Sequence, residues 1–144
     1  MVDVSAKPHT ERTARAEARV RMSRDARAAL ESATLSKGDA FVAAQIAGIM
    51  AAKQTGNLIP LAHPLPLAQV DVRFRFDDNG DLCVEATART TAQTGVEMEA
   101  MVAASVAALT IYDMTKALDK GITIERVRLI EKTGGKSGTW TAPQ

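Results

Sequence analysis

A long alanine-rich stretch at residues 94–116 restricts the possible folds of this chain more than any other segment. Its sequence, TGVEMEAMVAASVAALTIYDMTK, contains no proline and no glycine beyond Gly95. Alanine, leucine, methionine and glutamate favour helix, so the stretch predicts one long helix. The small residues between Ala100 and Ala108 allow other elements to pack closely against it.

One face of this predicted helix carries ionisable groups at both ends and apolar residues between them. At about 100° of rotation per residue, six positions share that face. They are Glu99, Val102, Val106, Leu109, Asp113 and Lys116. At a rise of about 1.5 Å per residue, Glu99 and Asp113 lie roughly 21 Å apart along the axis. Either a ligand as long as a nucleoside triphosphate spans the face, or the two ends serve different pockets, with different subunits as one option.

The same residues also have an ordinary structural interpretation. Glu97 and Glu99 fall in the first turn, where acidic side chains interact favourably with the helix dipole. Asp113 and Lys116 form an i,i+3 pair of a common kind. Helical spacing alone does not separate this interpretation from a functional site.

Size and composition indicate one domain and argue against several classes of function. The chain has 144 residues and a formal net charge of +1, so we expect a single domain over residues 1–144. Without a basic field, and with 3% aromatic residues, nucleic-acid binding is disfavoured. No signal peptide or membrane-spanning apolar run is visible. We therefore expect a cytoplasmic protein with no membrane partner.

Candidate metal ligands are few and scattered. Cys83 is the only cysteine, which excludes a disulfide within the chain. His9 and His63 lie far from it in the sequence, without the spacing of a zinc site. The sequence therefore predicts no bound transition metal.

Alternation and turn signals predict the other elements. Residues 14–22 alternate small or apolar with charged side chains, as a half-buried strand does. Two further alternating runs flank an Asp-Asn-Gly turn, as in a hairpin. The predicted order is strand 14–22, helix 24–31, helix 40–53, loop 57–67, hairpin 70–88, helix 94–116 and strand 122–130. This order favours an α+β fold: a ferredoxin-like antiparallel sheet with helices packed on one face.

The chain ends and the small residues lead to two more expectations. Residues 1–10 and 139–144 have no anchoring pattern, so we expect them to be flexible. The segment KTGGKSG, residues 132–138, predicts no regular structure. The alanine-rich helices leave little aliphatic bulk for a large core, which favours an oligomer.

Three lysines outside the long helix are candidates for a site. Lys37 lies just before the helix that begins near Ala40, where a lysine is suited either to binding phosphate or to acid–base chemistry, or is simply solvated. Lys132 and Lys136 belong to a glycine-rich segment that is either a basic flap over phosphates or a solvated tail. The full nucleotide-binding loop pattern is absent.

The proline-rich loop contains one further candidate. Pro60, Pro64 and Pro66 forbid a regular helix and hold His63 in a stiff, extended segment. His63 is an acid–base candidate at neutral pH, although a lone histidine is more often a hydrogen-bonded structural residue. No serine or cysteine nucleophile signature accompanies it.

Several motifs occur in order over nearly the whole chain. They are MVDVS, SKGD, IAGIMAAK, NLIPLAHPL, TGVEMEA, AASVAALTIYDMTKA and KTGGKSG. Together they closely resemble the cyclic pyranopterin monophosphate synthase family, the C proteins of molybdenum cofactor biosynthesis. The resemblance implies a ferredoxin-like subunit and a homohexamer, built as a trimer of dimers, with active sites between subunits.

The resemblance also implies a lyase reaction. The family converts 3′,8-cyclo-7,8-dihydro-GTP to cyclic pyranopterin monophosphate and releases pyrophosphate. This chemistry consists of proton transfers and phosphate displacement, so no cofactor is expected. Whether Mg²⁺ accompanies the substrate triphosphate stays open.

Matching the motifs residue by residue assigns roles to positions of this chain. The catalytic residues implied are Asp113, Lys116 and Lys37, acting as acids and bases. The substrate-binding positions implied are Leu61, Ala62, His63, Met98 and Glu99. We add Glu97 as a candidate binding residue, and Lys132, Lys136 and Arg12 as cations for the triphosphate, with Arg12 supplied by a neighbouring subunit.

Two positions depart from the family pattern. Ala62 and Thr115 stand where cysteine is often found, so no thiol at either position can be required if the protein is active. The rival interpretations are a ligand-binding module without chemistry and a purely structural oligomer. A binding module would lose only affinity in Lys116→Ala, whereas an enzyme would lose turnover.

Overall fold

The computed structural model describes residues 1–144 as an antiparallel sheet covered on one face by helices. Its strands are β1 (Thr10–Arg21), β2 (Leu67–Phe76), β3 (Leu82–Ala92), β4 (Thr123–Thr133) and β5 (Trp140–Thr141), in the sheet order β2-β3-β1-β4-β5. Its helices are α1 (Arg24–Glu31), α2 (Ala40–Lys53), α3 (Thr55–Leu58) and α4 (Glu97–Thr115). The predicted α+β fold with a ferredoxin-like antiparallel sheet is confirmed. No helix has the length and apolar character that crossing a bilayer requires.

Strand β1 lies in the middle of the sheet and pairs with both β3 and β4. Its inward side chains are small and fully buried, as the alternation predicted: Ala14, Ala16, Ala18 and Val20. The strand begins at Thr10, four residues earlier than predicted, because residues 10–13 pair with the end of β3. Residues 10–13 are threonines and charged residues, so they lack the alternation of small and charged side chains that predicted the rest of the strand.

Helices α2 and α4 lie side by side on the inner face of the sheet. Gly48 sits where they meet. A Cβ atom at Gly48 would lie 3.0 Å from the Ala103 carbonyl oxygen and 3.1 Å from Val72 Cγ2. Small residues therefore set the distance between the helices, and the buried core is made mostly of alanine.

Side-chain caps fix where the first two helices begin. Ser23 Oγ accepts a hydrogen bond from Ala26 N–H at 3.2 Å, at the start of α1. Asp39 Oδ1 accepts from the N–H groups of Phe41 and Val42 at the start of α2. The predicted bounds 24–31 and 40–53 are confirmed. Helix α4 begins at Glu97 rather than residue 94.

Both ends of the chain make contacts that the sequence did not predict. Strand β4 continues to Thr133, and its Lys132 pairs with Trp140 of β5. The prediction of no regular structure over residues 132–138 was therefore wrong at Lys132 and Thr133. At the other end, Val2 O lies 2.7 Å from His63 Nε2. The flexibility of residues 1–10 and 139–144 stays a prediction.

Candidate functional site

Three charged side chains meet at the carboxyl end of α4. Lys37 Nζ lies 3.0 Å from Asp113 Oδ2, and Lys116 Nζ lies 2.9 Å from Asp113 Oδ1. Each lysine therefore pairs with a different oxygen of the same carboxylate. Lys37 also donates to the Asp113 carbonyl oxygen at 3.0 Å. We call Lys37, Asp113 and Lys116 the lysine–aspartate cluster.

The chain reaches this arrangement through local geometry. Asp113 and Lys116 are one turn apart at the end of α4, so their side chains share a face. Lys37 comes from a turn closed by the Gly38 N–H to Leu35 carbonyl hydrogen bond, with Gly38 at φ +105. Only glycine adopts that backbone conformation readily.

The suggested anion site at the start of α2 is not supported. The Asp39 carboxylate already accepts the first free N–H groups of that helix. Lys37 instead extends to Asp113, on the neighbouring helix. Its contacts thus favour a role in the cluster over a role at the helix terminus.

Hydrogen bonds within the cluster shift the pKa values of Asp113 and Lys116. Hydrogen bonds from Lys116 and then Lys37 lower the pKa of Asp113. The hydrogen bond to Asp113 raises the pKa of Lys116. Both shifts favour the charged forms, a carboxylate at Asp113 and an ammonium group at Lys116. The three side chains are 46–55% exposed, so a ligand can reach both ammonium groups.

A first cavity lies at the other end of α4. Its wall includes the predicted substrate-binding residues Leu61, Ala62, His63, Met98, Glu99 and Glu97. The N-terminal segment also lines this cavity, through Met1, Val2, Val4 and Lys7. The cavity therefore combines apolar walls with a histidine and two carboxylates.

Glu99 is the buried polar group of the first cavity. The residue is 4% exposed, and burial raises the pKa of its carboxyl group. No ammonium or guanidinium group pairs with it, and Glu97 nearby raises the pKa further. Such a carboxyl group is suited to binding N–H or O–H groups of a ligand.

A second cavity adjoins the first and is rich in cations. Arg12, Lys132 and Lys136 line it, together with Lys7 and the single carboxylate Glu97. Arg12 Nε donates to the Ala92 carbonyl oxygen at 3.1 Å. Lys132 Nζ lies 2.7 Å from Ser137 Oγ and 3.5 Å from Glu97 Oε1. The excess of positive charge suits a phosphate chain.

The two glycines of the KTGGKSG segment shape this cavity. Gly134 and Gly135 have φ values of +89 and +74. A Cβ atom at Gly135 would collide with the Arg12 guanidinium group, and one at Gly134 with the Glu11 carbonyl oxygen. The segment is therefore folded against β1, which puts Lys136 beside Arg12 at one cavity.

The structure brings the candidates together in two places rather than one. The lysine–aspartate cluster lies at the carboxyl end of α4, and both cavities lie at its amino end. Glu99 and Asp113 are 14 positions apart on the helix, or about 21 Å. Thr115 is fully buried and donates to the Ile111 carbonyl oxygen, so it faces no cavity.

Sequence reasoning missed three residues of this region. Lys7 and Thr94 line both cavities, and Gln93 binds the backbone of the N-terminal segment. Thr94 begins the TGVEMEA motif, Gln93 directly precedes it, and Lys7 lies two positions after MVDVS, so nearness to a motif was a usable signal. The contact of Gln93 could not be predicted, because it is made to carbonyl oxygens 86 and 88 positions away in the sequence.

No three His, Cys, Asp or Glu side chains lie together as a metal ion would require. The absence of a metal or cofactor stays a prediction.

Comparison with known proteins identifies the family. A model described as the MoaC family matches residues 1–135. The cyclic pyranopterin monophosphate synthase of Novosphingobium aromaticivorans is 57% identical over 144 residues, covering 100% of this chain and 91% of the relative. Proteins of the same name from Thermomicrobium roseum and Listeria welshimeri are 53% and 49% identical, covering 97% and 99% of this chain and 85% and 89% of the relatives. The chain therefore belongs to the MoaC family.

Proposed function

We propose that this chain catalyses a step of molybdenum cofactor biosynthesis, converting 3′,8-cyclo-7,8-dihydro-GTP to cyclic pyranopterin monophosphate and pyrophosphate. The observation that carries the proposal is the lysine–aspartate cluster, in which two lysines from different elements take the two oxygens of Asp113. Similarity to relatives named as this synthase supports it over the full chain.

The cluster has the groups that the reaction needs. Forming a cyclic phosphate requires a substrate hydroxyl oxygen to attack the α-phosphorus while the bond to pyrophosphate breaks. The hydroxyl proton must pass to a base, and the developing charge on the leaving group must be stabilised. Asp113 is suited to accept or relay the proton, and the ammonium groups of Lys37 and Lys116 to donate protons and stabilise phosphate oxygens.

The two cavities divide the substrate between them in this proposal. The fused ring system occupies the first cavity, where His63, Glu97 and Glu99 meet its polar edge and Leu61, Ala62 and Met98 its flat faces. The triphosphate occupies the second cavity, where Arg12, Lys132 and Lys136 neutralise it. A ligand that extends from one to the other has the length of a nucleoside triphosphate.

The active site requires an assembly, because the cluster and the cavities of one subunit lie at opposite ends of α4, about 21 Å apart. We propose a homohexamer, a trimer of dimers, with each site formed by two subunits. Exposed apolar side chains on the helical layer support subunit contacts: Val42 is 50%, Ile46 53%, Met50 60% and Leu109 57% exposed. Burying them would supply the apolar area that an alanine-rich core lacks.

The remaining features of the proposal follow from the sequence. The enzyme uses no cofactor of its own, and Mg²⁺ is considered only as a companion of the substrate triphosphate. It works in the cytoplasm, without nucleic-acid or membrane partners.

The test is to supply purified protein with freshly prepared 3′,8-cyclo-7,8-dihydro-GTP. Pyrophosphate and the oxidised, fluorescent pterin are then quantified together. We expect both products with wild-type protein, and a loss of kcat by a factor of about 10² or more in Lys116→Ala, because an acid–base group is removed. Lys120→Ala is the matched control, since Lys120 is exposed and lines neither cavity.

Substrate binding separates this proposal from a binding module. Folded Lys116→Ala should still bind substrate, and wild-type protein should turn it over. If wild-type protein binds substrate and forms neither product, the chain is a binding module. If it binds no GTP-like ligand, the proposed function is wrong.

A further inference from the structure

The connection between α4 and β4, residues 116–122, contains an aspartate whose two oxygens both accept hydrogen bonds from the backbone. Asp119 Oδ1 accepts from the Gly121 N–H, and Asp119 Oδ2 accepts from the Ser23 N–H, each at 2.8 Å. Gly121 belongs to the same connection, whereas Ser23 lies 96 positions earlier, two residues after β1 ends. Asp119 therefore joins this connection to the end of the central strand.

The contact with Ser23 also completes the cap of α1. Ser23 is the N-cap residue, and its Oγ accepts from the Ala26 N–H. In a capping box, a glutamate or glutamine at the third helical position accepts the N–H of the cap residue. That position is Ala26 here, which has no acceptor in its side chain. Asp119 supplies the acceptor from a distant element, and the hydrogen bonds from Ser23 and Gly121 lower the pKa of its carboxyl group.

The same connection begins with Lys116, a member of the lysine–aspartate cluster. Lys116 directly follows α4 and keeps helical backbone angles, with φ −59 and ψ −22. A second contact closes the connection onto the helix, because the Tyr112 hydroxyl donates to the Lys120 carbonyl oxygen at 3.2 Å. That contact stays within α4 and its own connection. Among the hydrogen bonds of residues 116–121, only the one between Asp119 and Ser23 reaches another element.

We propose that Asp119 is a positioning residue for the proposed reaction: by fixing the α4–β4 connection to the start of α1, it keeps Lys116 against Asp113. This inference rests on the proposed function. Asp119 lines neither cavity and makes no contact with the cluster, so it acts through the backbone. Only two residues separate it from Lys116. Losing the Ser23 contact therefore lets the last turn of α4 fray and weakens the pairing of Lys116 with Asp113.

The first test is a carbon-detected NMR titration of the Asp113 carboxyl group in Asp119→Ala. The hydrogen bond from Lys116 lowers the pKa of Asp113 more than any other contact does. We expect a higher Asp113 pKa in Asp119→Ala than in wild type, because fewer molecules keep that hydrogen bond. Asp119→Asn, which keeps one accepting oxygen, should give an intermediate value. Asp78→Ala is the matched control, since Asp78 is an exposed aspartate in the turn between β2 and β3.

Kinetics on 3′,8-cyclo-7,8-dihydro-GTP separate positioning of the cluster from substrate binding. Both cavities lie at the other end of α4, so Asp119→Ala should leave KM within about twofold and lower kcat about threefold to tenfold. In a Lys116→Ala background, Asp119→Ala should lower kcat no further, because the group that it positions is already absent. Full additivity of the two losses in kcat would overturn the positioning role.

Variants of Ser23 test the contact without changing Asp119. Ser23→Pro removes the N–H that Asp119 accepts, and the Ser23 φ of −66 suits proline. Ser23→Ala removes the Oγ cap and keeps the N–H. We expect Ser23→Pro to raise the Asp113 pKa and lower kcat as Asp119→Ala does, and Ser23→Ala to do neither.

A purely structural role for Asp119 gives a different result. If folded Asp119→Ala has a lower Tm but the Asp113 pKa and kcat of wild type, Asp119 serves stability alone and the positioning role is wrong. The synthase proposal would then still stand. Absence of product with wild-type protein would instead reject the synthase proposal, and the NMR titration would still decide whether Asp119 holds Lys116 against Asp113.

Discussion

At the scale of single residues, Asp113 is the best-defined chemical group of the site. Both of its oxygens are occupied by lysines, and its pKa is lowered by them. The sequence predicted the pairing with Lys116, because the two are one helical turn apart. Lys37 could be assigned only by resemblance, since its contact with Asp113 depends on how α2 packs against α4.

Removing Lys37 should raise the pKa of Asp113. Its hydrogen bond stabilises the carboxylate, so in Lys37→Ala the carboxyl group should keep its proton to a higher pH than in wild type. A carbon-detected NMR titration of the Asp113 carboxyl group measures this directly. Lys120→Ala should leave the titration unchanged. An identical Asp113 pKa in wild type and Lys37→Ala would contradict the assigned contact.

The contribution of Glu99 to stability should depend on pH in the opposite direction to that of a salt-bridged carboxylate. Burial raises its pKa in the folded state, so its contribution to stability is fully present below the unfolded-state pKa and is lost as pH rises through the folded value. Glu99→Gln removes the cost of burying the charge. We therefore expect a higher Tm than wild type at pH 7.5, and a smaller difference near pH 4.

The control for Glu99 is an exposed glutamate. Glu11→Gln, on the exposed side of β1, should show no such dependence of the Tm difference on pH. A Tm difference for Glu99→Gln that is the same at both pH values would mean that charge burial is not its cause.

At the scale of elements, the helices and the hairpin were predicted because their local sequence patterns are strong. Elements with weak patterns were missed. Ser23 and Asp39 are visible cap residues, so α1 and α2 were predicted with their observed bounds. The end of β4 and all of β5 were missed. Lys132 lies in β4 because it pairs with Ala14 of β1 on one side and with Trp140 of β5 on the other. Neither pairing produces an alternation that can be seen in the sequence.

Gly48 sets the spacing between α2 and α4, and enlarging it should destabilise the protein. An ordinary helix glycine gains about 0.5–1 kcal/mol when replaced by alanine. Here a Cβ atom meets the Ala103 carbonyl oxygen and Val72, so we expect Gly48→Ala to lose that gain and Gly48→Val to cost about 1–3 kcal/mol. Urea unfolding of the three proteins measures this. A Gly48→Val variant as stable as wild type would contradict the close contact.

At the scale of the whole molecule, the fold was predictable and the complete site was not. The order of strands and helices, with few crossover options, indicated the α+β sheet. The sequence also showed that Glu99 and Asp113 are too far apart on one helix to meet a single reacting centre. It could not show that residues 1–9 line the cavities, because that depends on backbone contacts to His63 and Gln93.

The central claim is that one active site combines the lysine–aspartate cluster of one subunit with the cavities of another. Subunit mixing tests it most directly, with Lys116→Ala and Arg12→Ala/Lys132→Ala as two separately inactive proteins. After dissociation and random reassembly, the claim predicts recovery of about a quarter of wild-type turnover, because that share of sites receives an intact half from each protein. If mixed assemblies form and no activity returns, the cluster and the cavities serve the same subunit, and the claim is wrong.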